Sequence, residues 1–246
     1  MELNPPQTGH HPFRDVLMQA IQWADLHSER SLQQSLGPSE IGIQCMRQLG
    51  YRLAGTPPVN LHADPWFAVI GTAVHDWLAY ALDAYQRKVL GRTPPNLRWL
   101  IERRVDIHPP LVPGGKTDVY DLDLEAVIDY KVVGADTLRK AQAEGPSQQY
   151  RVQAHTYGRG WEQAGRPVRE VVIVFLPRSN FLAKTYVWSE PYDRSVADQA
   201  LARVAAIDTL RRAVPVHQLP TSDNCTWCPY HRPHRPADDT GCPGVG

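Results

Sequence analysis

Asp129 and Lys131 lie two residues apart in Val127-Ile128-Asp129-Tyr130-Lys131, and in a strand that spacing puts both on one face, with Ile128 and Tyr130 on the other. A carboxylate and an ammonium then project together. Earlier in the chain, Gly114-Gly115-Lys116-Thr117-Asp118 supplies a second carboxylate, which cross-strand pairing would bring beside Asp129. Two close carboxylates repel unless a cation joins them. Hard oxygen ligands suit Mg2+ or Mn2+, whose retained waters supply a nucleophile.

The elements that must position these groups follow from pattern. Helices are expected over about residues 13 to 29, and from a Ser39 cap through Cys45 to about Gly55. Asp64 as N-cap and Pro65 at the first helical position open a longer helix that reaches about Gly91 and carries His75. Extended segments follow at about Arg98 to Ile107, Lys116 to Asp123 and Leu124 to Val133, the last two close enough to form an antiparallel hairpin. A helix from about Ser147 to Ala164 precedes the unbroken apolar run Val171 to Leu176, which reads as a strand buried on both faces, with Lys184 to Ser189 as its neighbour. Residues 191 to 213 read as a final helix, and the segment 134 to 147 as loop. The class is therefore α/β, a mixed central sheet flanked by helices, with N-terminal helices and an irregular cysteine-bearing tail. Three segments are expected: 1–64, helical with the first cysteine; 65–213, the core; and 214–246, a metal-binding tail.

Asp118, Asp129 and Lys131 form a D…(D/E)-x-K pattern, and two further motifs stand in order around it. Gly71-Thr72-Ala73-Val74-His75 precedes it and Gln153-Ala154-His155-Thr156-Tyr157 follows it. Each spans one helical turn, so Gly71 lies beside His75, leaving space over the imidazole, and Gln153 beside Tyr157. Taken together over roughly residues 39 to 242, the set resembles the RecB-like nucleases of the PD-(D/E)XK superfamily. That resemblance implies a restriction-endonuclease-like αβββαβ core and a Mg2+ or Mn2+ ion held by His75, Asp118, Asp129 and the backbone carbonyl of Tyr130. Lys131 would orient or help deprotonate the attacking water. Gln153 and Tyr157 would contact substrate or brace Lys131. Glu102 is read equally as a further carboxylate of the site and as a solvated strand residue.

The four cysteines divide one plus three: Cys45 ahead of these motifs, and Cys225, Cys228 and Cys242 after them. In the CRISPR-associated RecB-like exonucleases and the AddB-type nuclease domain, which this pattern resembles, such a set binds a four-iron four-sulfur cluster. The resemblance implies that all four thiolates do so here, fastening the tail to the N-terminal helices. The interval from Cys228 to Cys242 is longer than usual and contains His231 and His234. A zinc site of Cys225, Cys228, Cys242 and one histidine is the competing reading, with Cys45 then a small buried apolar residue.

Composition bounds the function without choosing it. Lys plus Arg and Asp plus Glu both number 26 in 246 residues, so contact with nucleic acid would need a local basic patch. No secretory pattern and no apolar run of spanning length occurs, which leads to the expectation of a cytoplasmic chain with no membrane partner. Four cysteines are too few for a secreted disulfide scaffold. Arg103-Arg104 and Arg139-Lys140 read as solvated faces, Trp99, Trp161 and Trp188 as core or sheet-edge residues, and His10-His11 as a flexible end. The resemblance implies metal-dependent hydrolysis of DNA ends or single strands, in recombination, repair or replication, of a kind often encoded by phages. No nucleotide-binding loop of the G-x4-G-K-[ST] form is present, so unwinding would come from a helicase or recombinase partner. The alternatives are a non-catalytic nucleic-acid-binding module and a zinc-stabilised scaffold.

Overall fold

The computed structural model describes residues 12–28, 33, 35–60, 65–108, 110–222, 225 and 227–244. Helices α1 (Pro12–Leu26), α2 (Met46–Ala54) and α3 (Trp66–Lys88) precede strands β1 (Trp99–His108), β2 (Val112–Asp121) and β3 (Ala126–Val133). Helices α4 (Ala135–Glu144) and α5 (Gln148–Gln163) lead to β4 (Glu170–Pro177), β5 (Tyr186–Pro191) and α6 (Arg194–Ala213). The five strands form one sheet in sequence order. Only the β3–β4 pair is parallel, because two helices intervene there and carry the chain back across the sheet.

The apolar alternation of β4 buries Val171, Ile173 and Phe175 completely, while Val172 and Val174 are only half-buried. The run is thus covered tightly on one face and loosely on the other. Helix α5 is the main cover. Ser147 caps it by accepting the Tyr150 N–H at 3.3 Å, and Val152, Ala154, Tyr157 and Trp161 join the core. Trp161 stacks on Tyr120, whereas Trp188 and Trp99 are half-buried beside the sheet.

Several boundaries differ from the sequence expectation. The second helix is capped by Cys45, whose Sγ accepts the Gln48 N–H at 3.3 Å, and not by Ser39. The Ser39 region is instead a turn tied to α5, since Gln149 Nε2 donates to the Ser39 carbonyl at 2.6 Å. Pro65 precedes the first helical residue of α3, which ends at Lys88; the expected Asp64 cap and the His10-His11 end lie outside the described residues. The segment read as loop contains α4, whose buried stripe is only Leu138 and Ala141, too narrow a pattern to announce a helix.

The tail folds back onto α2. The Tyr51 hydroxyl donates to the carbonyls of Asp238 at 2.6 Å and Gly241 at 2.9 Å. Val59 and Asn60 give their N–H groups to the Pro229 carbonyl. Val216, Leu219, Tyr230 and Cys242 join the same core as the sheet.

Two glycines give opposite expectations. A Cβ on Gly42 would lie 2.7 Å from Gln149 Cα, backbone that cannot swing aside, whereas one on Gly71 meets nothing within 4 Å. Gly42→Ala is expected to destabilise the fold by about 1–3 kcal/mol, and Gly71→Ala to stabilise it by about 0.5–1 kcal/mol through helix propensity. Urea unfolding of both variants checks this, and a Gly42→Ala chain as stable as the parent would contradict the packing described.

Candidate active site and cysteine cavity

Both ladders of β2 fail at the same residue. Against β1, Ile101 pairs with Val119 and Arg103 with Thr117, but the intervening Glu102–Asp118 pair is missing. Against β3, pairing runs from Asp121–Ala126 to Val119–Ile128 and stops one position short of Asp118–Asp129. The cause is visible in the Asp118 side chain: its Oδ2 accepts the Tyr130 N–H at 2.7 Å. A side-chain oxygen has taken the place of the strand carbonyl, and the strands diverge around it. On the other side Glu102 adopts φ of 53°, a left-handed conformation that is costly for a residue with a side chain.

The opening places three ligand-type groups together. His75 Nδ1 lies 3.1 Å from Asp118 Oδ1, and one ligand atom each of His75, Glu102 and Asp118 falls within 4.8 Å of the others. His75 comes from α3, where the Tyr130 ring meets its imidazole edge-on. The hydrogen bond to the Asp118 carboxylate raises the His75 pKa, against an opposing effect of burial. Glu102, which the sequence left between two readings, is thus in the cluster, while its carboxylate also pairs with Lys116 at 2.5 Å.

Asp129 is not part of that trio. It is buried, its Oδ2 lies 2.6 Å from Lys131 Nζ, and yet the same oxygen makes no hydrogen bond of acceptable geometry. Burial pushes its carboxyl up to about 6, with the Asp118 charge adding to the shift and Lys131 opposing it. Lys131 is held from three sides. It also donates to Gln153 Oε1 at 2.9 Å and lies 4.9 Å from the centroid of the Tyr150 ring. Tyr157 is buried below, hydrogen-bonded to Gln153, its phenol held protonated by burial. Tyr150 carried no signal in the sequence beyond lying one turn from Gln153.

A donor set of imidazole and carboxylates around a diverging strand suits a hard divalent cation. Asp129, whose Oδ2 lies against the Lys131 ammonium, adds a further carboxylate whose charge interacts with those of Asp118 and His75.

The second cluster lies where α2 meets the tail. Cys45, Cys225, Cys228 and Cys242 line one cavity together with Tyr51, Tyr230 and His231, and none is in a disulfide. Gly244 N–H donates to Cys242 Sγ at 3.3 Å, and His231 Nε2 lies 3.2 Å from the Pro243 carbonyl. Burial pushes the Cys228 thiol up to about 11, and the other three thiols add to the shift. Among the described residues, no three of these groups approach within 4.8 Å of one another. In tetrahedral zinc, sulfurs about 2.3 Å from the metal lie about 3.8 Å apart.

No protein-family model matches the chain, and no curated protein matches it significantly. Among solved structures it is similar to a phage-related exonuclease from Haemophilus somnus 129PT, with a TM-score of 0.42 and 15% identity, covering 60% of this chain and 73% of that one. It is also similar to LHK-Exo, an alkaline exonuclease from Laribacter hongkongensis, with a TM-score of 0.43 and 14% identity, covering 73% of this chain and 89% of that one. Overlaps this loose decide nothing about chemistry, which must come from the site itself.

The raised Asp129 carboxyl has a stability consequence of definite sign. Between its ordinary value and about 6, the folded chain holds a proton that the unfolded chain has released, so stability falls as pH rises through that window. In EDTA, Asp129→Asn is expected to melt above the parent at pH 7.5, with the gap closing as pH falls towards 4. Parallel melting curves at both pH values would contradict the assignment of Asp129 as a buried, poorly compensated charge.

Proposed function

We propose that the chain is a Mg2+- or Mn2+-dependent DNA nuclease of the RecB-like PD-(D/E)XK type, and that its four cysteines hold a four-iron four-sulfur cluster. The observation that supports the first part is the missing ladder pair at Asp118. It brings His75, Glu102 and Asp118 within ligand distance of one another, beside the Asp129–Lys131 ion pair. A purely structural strand pair has no need of such an opening.

His75, Asp118 and Glu102 would hold the ion, with Asp129 and the Tyr130 carbonyl as the remaining donors that the resemblance implies. When bound, the ion would lower the pKa of water and offset charge on the scissile phosphate. The chain's own residues do the rest. Asp129 pairs with the Lys131 ammonium, and Gln153 and the Tyr150 ring fix its direction. An ammonium so held orients the attacking water by hydrogen bonding and stabilises negative charge at the phosphate.

For the cysteines, two observations favour the cluster over local zinc. Cys45 lines the cavity with the other three, and the thiols are spread more widely than zinc would draw them. In a cubane each thiolate binds a different iron. The role would be mechanical, adding one more tie between α2 and the tail.

End-labelled single- and double-stranded DNA incubated with Mn2+, Mg2+ or EDTA tests the activity. The parent is expected to degrade DNA only with metal, and Asp118→Asn and Lys131→Ala to lose on the order of 10³-fold in rate while remaining folded. A folded Lys131→Ala chain with parental activity would sink the assignment.

Anaerobically purified protein is expected to be brown, absorbing near roughly 400 nm, and Cys45→Ser to bleach it and expose the tail to protease. If Cys45→Ser left the metal content unchanged while Cys225→Ser removed one zinc per chain, the cluster would be wrong.

A further inference from the structure

A second cavity, of about 320 Å³, opens at the C-terminal ends of β3 and β4. Its floor includes Val133 and Leu138, both buried. Arg139, Arg178 and Lys184 also line it, and no carboxylate does. Lys184 has no ion-pair partner among the described residues, and the Arg178 guanidinium lies over the Phe67 ring at 3.6 Å. Arg139 pairs only with the exposed Asp136, an arrangement that water screens heavily. Ser179 and Asn180 add neutral polar groups to the lining.

The cavity is near the catalytic cluster by two routes. Val133 follows Lys131 by two residues on β3, so both belong to one face and lie about 7 Å apart along the strand. Phe67 precedes His75 by two turns of α3, about 12 Å. A cationic pocket that close to the cluster is positioned for a neighbouring phosphate of the same strand. Beside it are large apolar side chains open to solvent: Phe181 is 81% exposed and Leu182 75%. Cations that follow a backbone, alternating with exposed aromatic rings, are the chemistry that binds unpaired nucleotides.

We infer that this cavity is a subsite for single-stranded DNA, in which Arg178 and Lys184 hold a backbone phosphate one or two nucleotides from the scissile bond and Phe181 stacks on a base. The inference rests on the nuclease reading for the direction of the strand, but binding tests it separately. A helix lying over the sheet would explain the cavity's shape, and solubility would explain one lysine. Neither accounts for three cations and an exposed phenylalanine around one opening.

The experiment measures binding of a labelled oligothymidylate to the full chain in EDTA across a salt series, with Lys184→Gln, Arg178→Gln and Phe181→Ala. Each charge removal is expected to weaken binding and to lower the salt slope by about 1. Phe181→Ala is expected to weaken it about 5- to 100-fold with the slope unchanged, and to leave duplex binding alone. With Mn2+, all three should raise KM for the oligonucleotide yet leave hydrolysis of thymidine 5′-p-nitrophenyl phosphate, which has no neighbouring phosphate, within twofold. Lys184 is exposed and ends the short 3-10 turn Leu182–Lys184, so its variant remains informative if Arg178→Gln fails to fold. Parental affinity and slope in Lys184→Gln and Phe181→Ala would overturn the subsite. A parent that binds with these signatures but cleaves neither substrate would retain the subsite and overturn the nuclease reading.

Discussion

The hydrogen bond from Tyr130 N–H to the Asp118 carboxylate is the constraint on which the site depends. A backbone donor in a sheet must be satisfied, and here a side chain does it from within the neighbouring strand. That substitution halts the β2–β3 ladder, and at the matching gap on the β1 side Glu102 has a positive φ within its strand. The sheet therefore carries a local defect with carboxylates around it, an arrangement that costs stability and that folding alone would not favour. The remainder of the fold, with β4 paired along all of β3 and α5 packed on the sheet, is what keeps such a defect from propagating.

The buried Asp129–Lys131 pair belongs to the same economy of charge. Lys131 is fixed by a carboxylate, an amide oxygen and an aromatic ring, three contacts that leave its ammonium little rotational freedom. Asp129 remains incompletely compensated, as its raised carboxyl shows. A buried carboxylate beside an imidazole and a further carboxylate is the kind of donor set that would suit a cation. The cysteine cavity solves a different problem. The tail is attached to α2 through the Tyr51 hydroxyl, the Tyr51–Tyr230 ring contact, the hydrogen bonds of Arg47 to the Leu219 and Pro220 carbonyls, and the packing of Val216 and Leu219 on Gly50.

Much of this was legible in the sequence. Alternation in Val127 to Lys131 placed Asp129 and Lys131 on one face, helical spacing put Gln153 and Tyr157 together, and the mixed sheet followed from the order of the elements. The rest depended on contacts between distant segments. Nothing local to Glu102 announces its positive φ, which coincides with the missing pair to Asp118 on the next strand. Cys45 as a helix cap escaped notice since thiols are rarely given that role, and Ser39 looked the better candidate. Helix α4 was missed because a stripe of Leu138 and Ala141 lies below what periodicity can distinguish from loop.

The interrupted ladder at Asp118 is proposed to build a divalent-cation site. Anomalous scattering from crystals grown with Mn2+ tests it most directly. The predicted result is one strong peak in contact with His75, Glu102 and Asp118, lost in crystals of Asp118→Asn; a peak elsewhere, or none at saturating Mn2+, would contradict it.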